Sequence, residues 1–382
     1  MKLLIHQIHL PLDYKESDIV SAAARKLGCS EESLSDLRMI RRSVDARSRR
    51  DAPKFSMTIE VEYCGTELPE NNSDIEISDS LPYLPQKMDF TRNIPFRPFV
   101  AGAGPAGLMA ALSLAEAGLS PILIERGAMA KERSSQVARF WNHGELDPES
   151  NVLFGEGGAG LFSDGKLTAR SKDRPRVRRF LTTLVECGAP SDILFDAEPH
   201  LGSDALYRIV PNLRKRIEQF GGEVRFNSRL DHLIIENKTL RGVVINREEI
   251  RTDACVLATG HSARDVYDML ADAGVPSESK AFAVGVRIEI PQHRIDRAQW
   301  GNYAGHPRLG AASFRLTRKK EGKYRACYTF CMCPGGSVIA CASSHGKLTT
   351  NGMSLSKRAK NSANTSLSSS MAAVVAVIVH VQ

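Results

Sequence analysis

The residues best placed to do chemistry in this 382-residue chain are its small ones. Gly102, Gly104 and Gly107 stand in the spacing Gly-x-Gly-x-x-Gly, with Pro105 and Ala106 inside it. A short apolar strand after Arg97 leads into the first glycine, and a helix of small residues follows. A second apolar strand then ends in Glu125 and Arg126, about 20 residues downstream, where a dinucleotide fold carries its acid. Each part meets a need of a bound pyrophosphate. Gly102 permits a tight turn, Gly104 lets the backbone approach the phosphates, and Gly107 lets the helix lie close on the sheet. The helix start adds unpaired N–H groups and a partial positive charge. Glu125 is placed to accept from a ribose diol and to repel a 2′-phosphate. The order predicts a dinucleotide site. A turn that served only for packing would leave the acid unexplained.

NAD and FAD share this fingerprint, so the choice between them rests on two further stretches. Between positions 155 and 165 the chain places five glycines, with Gly157, Gly158, Ala159 and Gly160 in sequence and Lys166 just beyond. Such a run is costly in a regular element but suits backbone that passes close to a flat ligand or forms an anion-binding nest. Lys166 supplies positive charge suited to a reduced, anionic flavin. Downstream, Ala258-Thr259-Gly260 ends another strand in a small-residue turn. In flavoproteins with two dinucleotide-binding domains, a similar turn after a β-meander brings the chain back to FAD. These two stretches make FAD the expected cofactor; no second Gly-x-Gly-x-x-Gly follows, so no separate NAD(P) domain is evident, and whether NAD(P)H is the electron donor is left open.

Other reactive residue types form no constellation. Arg133, early in an expected helix over 131–142, is a further candidate for the pyrophosphate, with a surface arginine as the alternative. His143, His200, His261 and His306 are each isolated and read as structural, so no catalytic acid or base is assigned. There is no Gly-x-Ser-x-Gly and no metal-spaced His/Cys cluster, so no metal is expected. Cys331-Met332-Cys333 has the wrong spacing for thioredoxin-like chemistry and reads as core, with a thiol facing the flavin as the alternative. Ser262 reads as the N-cap of a helix over 263–273.

The elements that must hold these residues fall into an α/β plan. Residues 1–64 read as an N-terminal α+β, ferredoxin-like module. It has a strand over 3–10, a helix over 17–27 capped by Ser17 and ended by Gly28, and strands over 37–44 and 55–63. Residues 65–95, rich in proline, read as a linker. Residues 96–280 form the expected Rossmann-like FAD/NAD(P)-binding domain, and 281–382 an incomplete β-rich substrate domain.

Composition sets wider bounds. A net charge of +7 suits anionic ligands without indicating nucleic acid. Arg41, Arg42, Arg49 and Arg50 cluster near one hairpin, beside a run of acids from Glu60 to Asp79. No exposed aromatic row accompanies them, so a solvated hairpin is favoured over an RNA contact, and no DNA partner is expected. Eight cysteines without a framework read as reduced thiols, and no apolar run reaches the length of a membrane span. The expected location is the cytoplasm.

Taken together, the chain resembles the bacterial FAD-dependent dehydrogenases described as NAD(FAD)-utilising. The marks are Arg41-Arg42-Ser43-Val44-Asp45-Ala46-Arg47, the Gly102–Gly107 turn, the Phe154–Lys166 loop and Ala258-Thr259-Gly260-His261. Later marks are Phe282-Ala283-Val284-Gly285-Val286-Arg287, Cys331-Met332-Cys333-Pro334-Gly335-Gly336 and Thr350-Asn351-Gly352-Met353. The resemblance implies FAD, a two-dinucleotide-binding-domain fold and an oxidoreductase that moves a hydride through flavin N5, with substrate and electron acceptor open. It runs to about Asn364. The serine-rich and apolar text that follows departs from the family, so a truncated domain with an inactive flavin site is the alternative expectation.

Overall fold

The computed structural model describes residues 1–48, 51–65, 73–78, 95–168, 171–278 and 281–371. The N-terminal module is built from β1 (Lys2–Pro11), α1 (Glu16–Leu27), β2 (Leu34–Asp45), β3 (Lys54–Tyr63) and β4 (Ile75–Ile77). The sheet order is β2-β3-β1-β4, with every pairing antiparallel. That is the strand order of a ferredoxin-like sheet, carrying α1 as its one helix among the described residues. Alternate residues Phe55, Met57, Ile59 and Val61 of β3 meet Leu3, Ile5 and Leu10 of β1 under Ile19, Ala23 and Leu27 of α1. A period of two on the strands and of three to four on the helix therefore makes one core.

Two local readings change here. The cap of α1 is Lys15 rather than Ser17: the Lys15 N–H donates to the Asp18 carboxylate at 2.8 Å. Gly28 ends the helix at φ 69°, as its position predicted. Within the stretch read as a linker, Ile75–Ile77 forms an edge strand on β1. Residues 66–72 and 79–94 of that stretch lie outside the described residues.

The middle of the chain is an α/β layer. It runs β5 (Phe99–Ala101), α2 (Pro105–Glu116), β6 (Ile122–Ile124), α3 (Ala130–His143), α4 (Arg174–Glu186), α5 (Gly202–Gln219) and β7 (Glu223–Arg225). A meander follows, β8 (Leu230–Glu236), β9 (Thr239–Ile245) and β10 (Glu248–Arg251), and then β11 (Cys255–Leu257) and α6 (Arg264–Asp272). Strands pair in parallel in the order β11-β5-β6-β7. β5 and β6 are buried on both faces, which is why they read as unbroken apolar runs. Val100 and Leu123 point to α2, α4 and α5, while Phe99, Ala101, Ile122 and Ile124 point to the meander and α6. The predicted N-cap of α6 is displaced: Ala263 holds the cap position without a side-chain bond, which leaves Ser262 free to face the site.

The C-terminal part is β-rich, with β12 (Phe282–Pro291), α7 (Gln292–Trp300), β13 (Thr317–Arg318), β14 (Cys327–Cys333), β15 (Ser337–Cys341), β16 (Thr349–Met353) and β17 (Ser362–Met371). One sheet has the order β12-β17-β14-β13, and β15 pairs with β16. Of the stretch after Asn364, read as leaving the family, residues 365–371 instead continue β17 as a central strand, and residues 372–382 lie outside the described residues. β17 pairs with β12 from Pro291↔Ser362 to Phe282↔Met371. Its serines and threonines suit a strand because their side chains bond along it, as Ser366 Oγ does with Ser368 Oγ at 2.6 Å.

Candidate dinucleotide site

Three loops converge on one cleft at the carboxyl ends of β5, β6 and β11. The first is the turn after β5. Gly102 takes φ 104°, and any side chain there would run into the Ala258 carbonyl on the loop after β11. Gly107 packs the helix onto the turn, since a Cβ would lie on the Gly102 carbonyl oxygen. Gly104 caps α2 and Pro105 opens it, a position where the missing N–H costs no helical bond. No acidic residue occupies the first turn of α2, so its N-terminal N–H groups and dipole face the cleft without an acid of their own turn to take them up.

The second loop is the glycine-rich stretch before α4. Gly155, Gly157 and Gly158 all take positive φ, at 119°, 85° and 57°. Gly158 faces Gly104 across the cleft so closely that a Cβ on Gly158 would approach Gly104 Cα to 2.9 Å. Two side-chain-free backbones thus form opposite walls. The third wall is Thr259 and Gly260 after β11.

Of the residues singled out from the sequence, Gly102, Gly104, Pro105, Ala106, Glu125, Arg126, Gly158, Ala159, Gly160, Thr259 and Gly260 line one cavity of about 240 Å³. That is below the ~300–1,000 Å³ of drug-sized ligand pockets. Gly107 and Gly157 support the walls from behind. Leu153, Ser228, Leu230 and Ser262 also line the cavity and carry no sequence motif that pointed there, while Phe154 and His261, also in the lining, fall within the family marks. Their places depend on strand ends that meet only in the folded chain.

Glu125 does more than the sequence implied. It is 5% exposed, and its carboxylate accepts from the N–H groups of Ala103 at 2.8 Å, Gly127 at 3.0 Å and Gly155 at 2.9 Å. A carboxylate has about four acceptor positions. Three are spent tying the first turn, the end of β6 and the glycine-rich loop together, and one remains. Arg126 lies over the Phe154 ring at 4.7 Å and pairs with Asp265 and, at 3.8 Å, with Glu149.

Two expected cofactor residues lie elsewhere. Arg133 is fully buried and donates to the carbonyls of Asn151, Val152, Gly155 and Glu156 at 2.8, 2.9, 3.3 and 2.7 Å. Its guanidinium holds the loop together from inside and does not reach the cleft. Burial pushes it down to about 10, against the pull of Glu125 and Glu156, which keeps it charged at neutral pH. Lys166 is not among the residues lining this cavity and pairs with Asp164 at 2.8 Å. Asp164 is 1% exposed and also accepts from Arg358 at 2.5 and 3.2 Å and from Ser354. Burial alone would raise the Asp164 carboxyl, but Arg358 and Lys166 outweigh it and hold it below the usual range. The glycine-rich loop is thereby anchored to the C-terminal sheet.

Family models match three parts of the chain. A family model described as an FAD binding domain matches residues 99–150. Another, described as the C-terminal domain-like part of an FAD-dependent protein, matches residues 281–377, so the family likeness runs past Asn364. A domain of unknown function matches residues 1–62. An uncharacterized protein of Clostridium beijerinckii is 44% identical across 96% of this chain and 69% of its own length. A probable electron transfer flavoprotein-quinone oxidoreductase of Escherichia coli is 28% identical, over 59% of this chain and 52% of its own. Among solved structures, the L-proline dehydrogenase of P. horikoshii aligns with 51% of this chain and 60% of its own at a TM-score of 0.28 and 15% identity. The glycine cradle fits a dinucleotide, and with that relative in C. beijerinckii the chain belongs to a family of FAD-dependent oxidoreductases.

Proposed function

We propose that this chain is a dehydrogenase or reductase of the NAD(FAD)-utilising type, taking a hydride from a reduced donor and passing the electrons to an acceptor. The observation that carries the reading is the meeting of three backbone loops, after β5, before α4 and after β11, around one cleft. Bound FAD would supply hydride transfer at its flavin N5. The protein's part is to hold and orient it. Gly102, Gly104 and the first turn of α2 would receive the pyrophosphate. The remaining acceptor position of Glu125 would take a ribose hydroxyl, and Gly158 to Gly160 would lie along the cofactor toward its flavin end. Residues 96–280 act as the FAD-binding unit in this reading and the β-rich part from 281 as the substrate side, with the reduced cytoplasm as the setting.

The sequence left an RNA contact by the basic hairpin as an alternative, and nothing in the fold favours it. Arg42 is committed to Asp196 and Asp192 at 2.9 and 3.2 Å, and Arg38 to Glu60 at 2.6 Å. Arg49 and Arg50 lie outside the described residues. The test of the flavin reading is the absorbance of the purified chain, before and after adding FAD, followed by anaerobic addition of NADH and of NADPH. Flavin bleaching by one of them supports it. A chain that neither carries nor takes up FAD overturns it.

A further inference from the structure

We propose that Cys331 and Cys333 form a redox-active thiol pair that exchanges with small-molecule disulfides. The proposal stands apart from the flavin reading, because no step in it involves FAD.

The pair sits where β14 departs from regular pairing. Its register with β17 slips between Phe330 and Cys333, and Cys331 takes φ 49°, a left-handed conformation rare outside glycine. Bulges of this kind re-aim side chains, and strained backbone of this kind clusters at functional sites. Here the Cys333 thiol donates to the Cys331 carbonyl at 3.4 Å. Cys333 Sγ lies 3.8 Å from Lys166 Nζ, on the loop before α4, and 3.8 Å from Arg287 Nη1, on β12. Two cations from separate elements therefore converge on one sulfur.

The charges around the pair favour a thiolate. Lys166 is shared with Asp164, which Arg358 also neutralises. Arg287 has no carboxylate within 4.0 Å among the described residues. It donates to the Cys331 carbonyl and to the side-chain oxygens of Asn364 and Asn351. The first proton of the pair leaves below the ordinary thiol range, because of the hydrogen bond from Cys333 and then of Lys166 and Arg287, against the effect of burial. Core thiols without such neighbours go the other way: burial pushes Cys255 up to about 12. Close packing holds these groups together as well. A side chain at Gly352 would strike Arg287, Asn364 and Cys333 Sγ. Asn364, 1% exposed and paired in register with Cys333, keeps an Nδ2 donor without a partner for an incoming acceptor. Cys331 is only half-buried, so a small reagent can reach it.

The exchange balances. The Cys331 thiolate attacks one sulfur of a disulfide RS–SR, the S–S bond breaks, and RS⁻ departs. Cys333 then attacks the Cys331 sulfur of the mixed disulfide and displaces the second RS⁻, to which its proton passes. One proton and one negative charge enter and leave. The small disulfide gains two electrons, and the pair is left as a Cys331–Cys333 disulfide.

The test uses the full chain and glutathione disulfide as probe. The reduced protein is exposed to the probe, alkylated, digested and weighed. The expected products are a peptide linked between Cys331 and Cys333 in the wild type and a glutathione adduct at Cys331 in Cys333→Ser. Iodoacetamide labelling, with the exposed Cys64 as internal reference, should be roughly tenfold faster at Cys331 at pH 6, given a thiolate advantage partly offset by lower nucleophilicity. Lys166→Met should move that profile to higher pH while Lys166→Arg restores it, which separates charge from folding. Labelling at Cys331 no faster than at Cys64, or adducts on Cys64 with none at Cys331, overturns the proposal.

Discussion

Single atoms decide the cleft. Gly107→Ala sets a methyl group against the Gly102 carbonyl, so α2 must lift from the turn it presents to the phosphates. We expect this variant to lose about 1–3 kcal/mol of stability through overpacking and to retain at most a tenth of the wild-type FAD. Flavin absorbance per chain after gel filtration checks it. Asp164 is a second such position. Asp164→Asn leaves Lys166 and Arg358 facing each other without their shared carboxylate, and the expected cost is about 3–5 kcal/mol in urea unfolding. The sign with pH follows from the lowered carboxyl. Its contribution is complete above the unfolded value of about 3.9 and is lost as pH falls through the lower folded value. Wild-type stability should therefore drop on acidification in that window, and the Asn variant should show a flatter profile there.

At the scale of elements, the glycine-rich loop is a scaffolded part. Arg133 satisfies four carbonyls between Asn151 and Glu156 from within. Arg133→Met fills similar space but leaves the Asn151, Val152 and Glu156 carbonyls without this donor, while the Gly158 N–H still reaches the Gly155 carbonyl at 2.9 Å; more than about 3 kcal/mol should go, since each unsatisfied buried group costs ~1–3 kcal/mol. Urea unfolding followed by circular dichroism measures it. This arginine also marks the limit of what the sequence could tell. The Gly102–Gly107 turn and Glu125 were legible because backbone approach leaves a glycine spacing and a ribose leaves an acid at a set distance. Arg133 was read as a phosphate ligand or a surface residue, because a guanidinium whose partners are all carbonyls leaves no trace in residue types. The contact of Lys166 with the C-terminal sheet was hidden for a related reason. Its partner Cys333 is 167 positions away, on a strand whose pairing no local pattern specifies. The α1 and α6 caps were displaced by neighbouring residues whose backbone took the role a serine was expected to fill.

For the whole molecule, the N-terminal module is held to the α/β layer through one residue above others. Arg42 bonds Asp196 and Asp192, stacks over Phe195 at 5.0 Å, and exchanges backbone bonds with Phe195 and Ala197. Arg42→Ala keeps the backbone bonds but removes the charge and the stacking. We expect the segment between the module and β5 to be cleaved several-fold faster in limited proteolysis, with the α/β layer surviving as a fragment. An unchanged cleavage rate would show that the backbone bonds alone suffice.

The three N–H bonds of Glu125 carry a thermodynamic signature for cofactor entry. Because that carboxylate already joins the glycine turn, the end of β6 and Gly155, the walls stand in place before any ligand arrives. Association should then resemble filling a rigid mould. Titration calorimetry with FAD should give a heat-capacity change matching the area covered, without the excess of coupled folding. Glu125→Ala, whose walls are untied, should show that excess.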